Sequence, residues 1–171
     1  MLLDGEEWSA YFRDFKASAW RLEVQPTYTM PRESENLARF LKGEAKPEGH
    51  NANWHATVRA NIAAGRSIGR VRVVRRPLTE YQRYQLAWGT PGNIAAGEDI
   101  RILDLADAEL DLPSQDFWLF DEATVVHLNF RPDGTQINRE LVESPDLSSY
   151  LQWRDSAIAA SVSYLEYVDR T

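Results

Sequence analysis

The chain has 171 residues, 19 of them basic and 26 acidic, for a formal net charge of −7. It contains no cysteine, which excludes a disulfide framework, thiol catalysis and a thiolate metal site. Hydrophobic residues make up 43% of the chain, too many for a disordered protein, and no apolar run approaches the roughly 20 residues that span a bilayer. The first eight residues do not have the character of a signal peptide. We therefore expect a soluble, cytoplasmic protein whose residues 1–171 form a single globular domain.

Charge is unevenly distributed along the chain. The window from Gly49 to Thr79 has no acid and a charge of +6, so the rest of the chain carries −13. Its six arginines are Arg59, Arg66, Arg70, Arg72, Arg75 and Arg76. The segment Glu98–Glu122 holds nine acids against Arg101 alone. Two interpretations stay open: the segments neutralise each other inside the fold, which is the favoured one, or they form a two-sided face for a partner.

The first third of the chain predicts two helices and a strand. Aromatic and small apolar residues at spacings of three and four predict an amphipathic helix over Glu6–Trp20. Alternation over Arg21–Tyr28 predicts a strand, which Pro26 would restrict to the edge of a sheet. A short helix is expected over Arg32–Lys42, with Gly43 as its C-terminal cap.

A five-residue sequence occurs twice, as Asn61–Gly65 and as Asn93–Gly97. The first copy ends a predicted helix over Asn53–Ala64, and each copy precedes a β-branched run, Ser67–Val74 and Asp99–Leu103. This order predicts a helix, a glycine cap and a strand in both places. We interpret it as a repeat of connection geometry and not of domains.

Between the copies, Thr79 with Gln82 forms a capping box that starts a helix. The helix has an aromatic stripe of Tyr81, Tyr84 and Trp88. The run Gly89–Gly92 is expected to break it.

The last third of the chain predicts an antiparallel meander and a helix. Phe117–Phe120 and Thr124–Phe130 read as a hairpin, and Gln136–Val142 as a third strand. Ser144-Pro145 is expected to cap a final helix over Asp146–Leu165. The whole pattern predicts one α/β (α+β) domain: a mixed sheet of about five or six strands, with an antiparallel C-terminal meander and helices packed on it.

Motifs for common chemistries are missing from the sequence. There is no Gly-x-Gly-x-x-Gly, no Walker loop and no Gly-x-Ser-x-Gly. The three histidines, His50, His55 and His127, are poorly spaced for a metal. No metal, cofactor or catalytic residue is predicted.

Two pairs of charged residues remain as candidates. Arg70 and Arg72 would lie on one face of a strand, where they could meet an anion or, in the favoured interpretation, pair with acids such as Glu98 or Asp104. Asp116 and Asp121 flank an apolar strand and would face opposite sides, which favours strand-end and turn roles over acid/base work. Because the chain is acidic overall, with a sequence pI near 5.0, direct nucleic-acid binding is not expected.

Nine segments in a fixed order resemble the actinobacterial family called domain of unknown function 6879, over about residues 8–165. They are the Phe12–Phe15 helix, Arg21-Leu22-Glu23, Leu41-x-Gly43, Trp54, Ala64-Gly65-Arg66, Arg70–Val74, Pro77-x-Thr79-x-Tyr81, Ala96–Arg101 and Asp116–Asp121. Members are often encoded beside helix-turn-helix regulators in Streptomyces-like genomes. The family has no established activity. The resemblance implies a regulatory or accessory role with a protein partner.

The chain is also faintly similar to phospholipase-D-like domains, through a basic strand, helix, glycine and strand, followed by a strand that ends in Asp. The His-x-Lys-x4-Asp motif of those enzymes is missing. The similarity implies a lost phosphodiester chemistry and a retained ligand pocket.

Two hypotheses of function follow. The first is a non-enzymatic regulatory domain that binds a protein such as a helix-turn-helix transcription regulator. The second is a sensor of a small anionic ligand or phosphate ester, with a degenerate pocket. The candidate anion- or partner-binding residues are Arg66, Arg70, Arg72, Arg101, Tyr81, Asp116, Trp118 and Asp121. An active hydrolase ranks last because no nucleophile–base pair is visible. A homodimer is a further option.

Overall fold

The structure, a computed structural model that describes residues 1–170, is an α+β fold built on one seven-stranded mixed sheet. The strands are β1 (Ser18–Glu23), β2 (Ser67–Val74), β3 (Asp99–Asp104), β4 (Asp116–Phe120), β5 (Thr124–Phe130), β6 (Gln136–Leu141) and β7 (Val162–Ser163). The α-helices are α1 (Gly5–Asp14), α2 (Ser34–Leu41), α3 (Ala52–Ala63), α4 (Glu80–Tyr84), α5 (Thr90–Ala96), α6 (Leu147–Ala160) and α7 (Tyr164–Asp169). A 3₁₀ turn over Pro31–Glu33 precedes α2.

The strand order is β6-β5-β4-β1-β2-β3-β7. Strands β1, β2 and β3 are parallel, β4 to β6 continue from β1 as an antiparallel meander, and β7 pairs antiparallel with β3. The predicted mixed sheet and C-terminal meander are therefore confirmed. The seventh strand is additional, because β7 lies inside the predicted helix over Asp146–Leu165. Ser161 has extended backbone and ends α6, and Ser163 caps α7.

The start of that last helix also differs from the prediction. Asp146, not Ser144, is the residue that precedes α6, and its carboxylate accepts the hydroxyls of Ser148 and Ser149. Ser144 instead has a positive φ of 49°, a conformation unsuited to the extended backbone of a cap.

The predictions for β1 were wrong in two respects. The first helix ends at Asp14, and β1 is an interior strand between β4 and β2. The carboxylate of Asp121 accepts the backbone N–H groups of Lys16, Ala17 and Ser18. These N–H groups are therefore not available for helical hydrogen bonds, and the chain enters the sheet at Ser18. Pro26 lies beyond the end of the strand and removes no hydrogen bond from the sheet.

The repeated five-residue sequence forms the same joint twice, as predicted. Gly65 and Gly97 have positive φ values of 82° and 117°. In each copy, the backbone carbonyl of the asparagine accepts the N–H of the residue after the glycine, which is Arg66 in the first copy and Glu98 in the second. The asparagine side chains, Asn61 and Asn93, are both buried. The two joints deliver β2 and β3 into the sheet in the same way.

The capping box of Thr79 and Gln82 is confirmed at the start of α4, but the predicted break at Gly89–Gly92 is wrong. A single π-type turn over Gln85–Gly89 connects α4 directly to α5. Pro91 is the second residue of α5, and the Thr90 hydroxyl donates to the Gln85 carbonyl.

The two faces of the sheet are covered differently. Helices α1 to α5 pack on one face, through clusters that include Ala19, Ile68 and Trp118. Helix α6 and the connection over residues 105–112 cover the other face, against Leu22, Val71 and other apolar side chains. At one edge, residues Met1–Leu3 hydrogen-bond to β6.

Candidate functional site

Six charged side chains lie together on the face of the sheet that α1 to α5 cover, and we call them the charge cluster. They are Arg21, Glu23, Arg70, Arg72, Glu98 and Asp116. They occupy alternate positions of β1, β2 and β4, which bring them to one face, and the residue just before β3. Three arginines oppose three acids, so the formal charges cancel.

Glu23 is the centre of the charge cluster. Its carboxylate lies 3.3 Å from Arg21, 3.3 Å from Arg70 and 3.8 Å from Arg72, and it accepts the side-chain amide of Gln85 at 3.1 Å. Burial by itself would raise the pKa of Glu23, but the three arginines lower that pKa to about 2. Glu23 is therefore ionised at neutral pH and serves as a counter-charge, not as a general acid.

Arg72 is held almost entirely by uncharged acceptors. Its side chain is 1% exposed and donates to the Gln85 side-chain oxygen at 2.7 Å and to the backbone oxygens of Glu23, Val73 and Gln25 at 3.1, 3.1 and 2.6 Å. Gln85 opens the π-type turn, and its amide contacts both Arg72 and Glu23. Irregular helical turns of this type recur at functional sites.

Arg70 connects β2 to the start of β3. Its guanidinium lies 2.6 Å from the carboxylate of Glu98, which also accepts the indole N–H of Trp54 at 3.1 Å. The guanidinium stands 5.7 Å from the ring centres of both Trp54 and Trp118. Burial would lower the pKa of Arg70, but Glu98 and Glu23 raise it, so the arginine stays charged.

Asp116 closes the cluster at the start of β4. Its fully buried carboxylate accepts Arg21 at 3.1 Å, the Val24 N–H at 2.9 Å and the Tyr28 hydroxyl at 2.5 Å. Burial, reinforced by Asp116, raises the pKa of Tyr28 well above its usual value. Among residues 1–170, the Nε atom of Arg21 is the one buried side-chain polar atom without a hydrogen-bond partner.

The structure brings some of the sequence-predicted site residues together and separates others. Arg70, Arg72, Asp116 and Trp118 lie in or against the charge cluster. Tyr81 lies beside the charge cluster and is not one of its six members. Its ring centre is 5.6 Å from that of Tyr28, and its hydroxyl donates to Glu33 at 2.8 Å.

The remaining three predicted residues lie elsewhere. Arg66 donates to the Arg13 carbonyl and to Asn61, below the start of β2. Arg101 projects to the opposite face of the sheet and donates to the hydroxyl and carbonyl of Ser161. Asp121 lies at the far end of β4 from Asp116, in the turn role that the sequence favoured. The four arginines of the hypothetical anion pocket therefore do not converge.

Sequence reasoning missed Arg21, Glu23 and Gln85 as members of the site. The sequence did hold a signal for the first two. They alternate with Leu22, which is fully buried, so an interior strand would bury them on its other face. Because Pro26 led to the prediction of an edge strand, the burial of Arg21 and Glu23 was not predicted. No local signal marks Gln85, because only the tertiary packing of the π-type turn brings it to Glu23.

Five of the six arginines of the basic window contact groups of the chain itself. Arg76 pairs with Asp104 at 2.6 Å and with Asp107, and Arg75 donates to the Leu105 carbonyl at 3.2 Å. Mutual neutralisation of the basic window and the acidic segment therefore holds for Arg70 with Glu98 and for Arg76 with Asp104 and Asp107, while Arg66 and Arg75 bond to uncharged oxygens. Arg59 is exposed and, within the described part of the chain, has no ion pair.

Across residues 1–170, no group of three or more His, Asp or Glu side chains is placed to hold a metal ion. No helix in that range has the length and apolar character to cross a membrane.

Comparison with known proteins identifies the family of the chain. The model of a family described as "Domain of unknown function (DUF6879)" matches residues 6–169, nearly the whole chain. None of the curated proteins matches the chain. The description of the family states no activity, so the charges and grooves of the fold are the basis for any inference of function.

Proposed function

Since the chain belongs to the DUF6879 family, whose description states no activity, we propose a function from the charges that the fold leaves exposed. The protein is a non-catalytic regulatory or accessory domain that binds a basic protein partner, such as a helix-turn-helix transcription regulator. The observation that carries this proposal is the unequal fate of the two charged segments. Five of the six arginines of the basic window contact groups of the chain itself, whereas Glu109 and Asp111 of the acidic segment are exposed and have no ion pair within residues 1–170.

The acidic connection between β3 and β4 is the docking surface in this proposal. Asp107, Glu109 and Asp111 are exposed there, and the last two have no ion pair within residues 1–170. A shallow groove of about 380 Å³ adjoins them, with Leu105, Ala108 and Leu110 among its lining residues. Arg75 also lines the groove, so two acids against one arginine leave it with a net negative charge. Such a groove complements an apolar ridge flanked by Lys or Arg, and opposite charge speeds the encounter of the partners.

The test is calorimetric titration of the full chain with purified helix-turn-helix regulators from the genome that encodes it. We expect binding that weakens as salt rises, because exposed charges are screened. Removing the two unpaired acids, in Glu109→Gln/Asp111→Asn, should weaken binding at least tenfold. The matched control Glu35→Gln/Glu143→Gln removes two exposed acids elsewhere and should leave the affinity unchanged. Absence of binding, or equal loss in both double variants, would overturn the proposal.

A further inference from the structure

A second groove, of about 410 Å³, lies where β1 ends and β4 begins, and we call it the carboxamide groove. Its lining residues are Gln25, Ser114, Gln115, Leu128, Asn129, Phe130, Ile137 and Asn138. Four are carboxamides, one is a hydroxyl and three are apolar, so no ionisable side chain lines the groove. This is unusual for a chain in which 26% of residues are charged. The groove also lies at the carboxyl end of a parallel strand, where ligands of open α/β sheets bind.

Three of the carboxamides form a hydrogen-bonded row that runs from Gln115, just before β4, to β5 and β6. The Gln115 amide donates to the Asn129 side-chain oxygen at 3.1 Å and to the Leu128 carbonyl at 3.0 Å. The Asn129 amide in turn donates to the Asn138 side-chain oxygen at 2.8 Å and to the exposed carboxylate of Glu140, outside the groove lining, at 3.3 Å. This row fixes the orientation of each amide before any ligand arrives.

Some donors and acceptors of the groove remain without a hydrogen-bond partner in the described part of the chain. Within residues 1–170, the side-chain oxygens of Gln25 and Gln115 accept no hydrogen bond, and the Asn138 amide donates none. None of these three atoms is buried without a partner, so they face solvent. A ligand in the groove would meet two acceptors near its β1 side and one donor near its β6 side.

An irregularity of the sheet supplies the apolar side of the groove. The register of β5 and β6 shifts between Asn129 and Phe130, because Asn129 faces Asn138 while Phe130 faces Gln136. Ile137 is the extra residue of this bulge, and 52% of it is exposed. Bulges re-aim side chains and recur beside binding sites. Ile137 with Phe130 thus gives the neutral row an apolar neighbour.

We propose that the carboxamide groove binds an uncharged ligand that carries an amide group next to an apolar group. A primary carboxamide and a peptide amide each present one carbonyl acceptor and an N–H donor, so the two groups pair in register. A charged ligand would lose hydration without meeting an opposite charge, which opposes its binding. The ligand is either a segment of extended peptide or a free small amide, and this site is independent of the acidic docking surface.

The proposal is tested by titrating the ¹⁵N-labelled full chain with three probes at pH 7 and following the Asn and Gln side-chain NH₂ signals. N-acetyl-leucine amide represents a free amide, and N-acetyl-leucyl-leucine amide represents a peptide. N-acetyl-leucine is the charged counterpart. We expect shifts for Gln25, Gln115, Asn129 and Asn138 with a neutral probe, and at least tenfold weaker binding of the charged one. Tighter binding of the longer probe identifies a peptide segment, and equal binding identifies a small amide.

Two variants separate binding in the groove from binding elsewhere. Ile137→Asp places a charge at the groove rim on a side chain that is already exposed, and should weaken the neutral probe at least tenfold. Leu165→Asp makes the same change at a residue that is 66% exposed on α7 and should have no effect. Binding of the regulator should be the same in both variants. The proposal fails if millimolar neutral probes shift no groove signal, or if the charged probe or glucose binds equally well.

Discussion

The two faces of the sheet solve the problem of burial in different ways, and β1 shows both solutions in neighbouring residues. Leu22 faces α6 among apolar side chains, whereas Arg21 and Glu23 face the other helices inside a network of ion pairs. Apolar contacts are non-directional and tolerate small displacements, but the charge cluster is satisfied only in one arrangement. Both faces have apolar clusters, and the ion pairs on the second face add a constraint on how β1, β2 and β4 and their helices are positioned.

The strongest way to break this contrast is to remove the centre of the charge cluster. Glu23→Gln keeps the shape of the side chain but leaves three buried arginines with two acids. We expect the free energy of unfolding to fall by about 3–5 kcal/mol, because an uncompensated buried charge remains. Chemical denaturation measures the loss, and Glu143→Gln, at an exposed acid, is the control that should change it by under about 0.5 kcal/mol. A small effect at Glu23 would mean that the arginines are hydrated.

The matching change on the apolar face is Leu22→Ala. Leu22 is 0% exposed, so we expect a loss of about 3 kcal/mol from lost burial and the cavity left behind. Unlike the loss at Glu23, it should be the same at pH 6 and pH 3. Leu165→Ala, on a mostly exposed leucine, serves as the control. A pH-dependent loss at Leu22 would show that the two faces are coupled.

Acid sharpens the same contrast without mutation. The pKa of Glu23 is lowered from 4.5 to about 2, so its contribution to stability is complete above pH 4.5 and is lost as the pH falls towards 2. At pH 3 the unfolded chain has bound the proton and the folded chain has not. The stability difference between the wild type and Glu23→Gln should therefore shrink by about 2 kcal/mol between pH 6 and pH 3. Parallel curves for the two proteins would contradict this cause.

The smallest expected effect concerns the turn that leads into β1. Asp121→Ala removes an acceptor shared by three backbone N–H groups and should cost about 1–2 kcal/mol. Asp121 has a φ of 54°, which Asn tolerates well, so Asp121→Asn should cost about half as much. Thermal unfolding of the two variants distinguishes them. Equal losses would assign the effect to the negative charge, because Asn keeps both an acceptor oxygen and the tolerance of a positive φ.

The parts of the fold that could be predicted from sequence are those determined by neighbouring residues. The capping box at Thr79, the repeated glycine joints and the hairpin of β4 and β5 each depend on a few adjacent side chains. The helix predicted to Trp20 failed because a distant carboxylate, Asp121, ends it. The break predicted at Gly89–Gly92 failed because a π-type turn accommodates the glycine within a continuing helical path.

The candidate site was predictable only in part, because it too depends on contacts between residues that are distant in the sequence. The spacing of Arg70 and Arg72 does place them on one face, and the pairing of Arg70 with Glu98 is confirmed. Which acid meets which arginine depends on register between strands that are 47 or more residues apart, as for Glu23 with Arg70 and Asp116 with Arg21. The carboxamide groove depends on a bulge, and alternation in a sequence does not reveal where a register slips.

The short pairing of Met1–Leu3 with β6 bears on how the protein behaves at high concentration. The N–H of Leu3 donates to Arg139, and the N–H of Leu141 donates to Met1, so part of this long edge strand is already occupied. The other edge is β7, which is only two residues long. Open edges are the usual templates for fibres and for dimers that share a continuous sheet. Both edges here are blunted, so association with a second copy would proceed through side-chain surfaces instead of through strand addition.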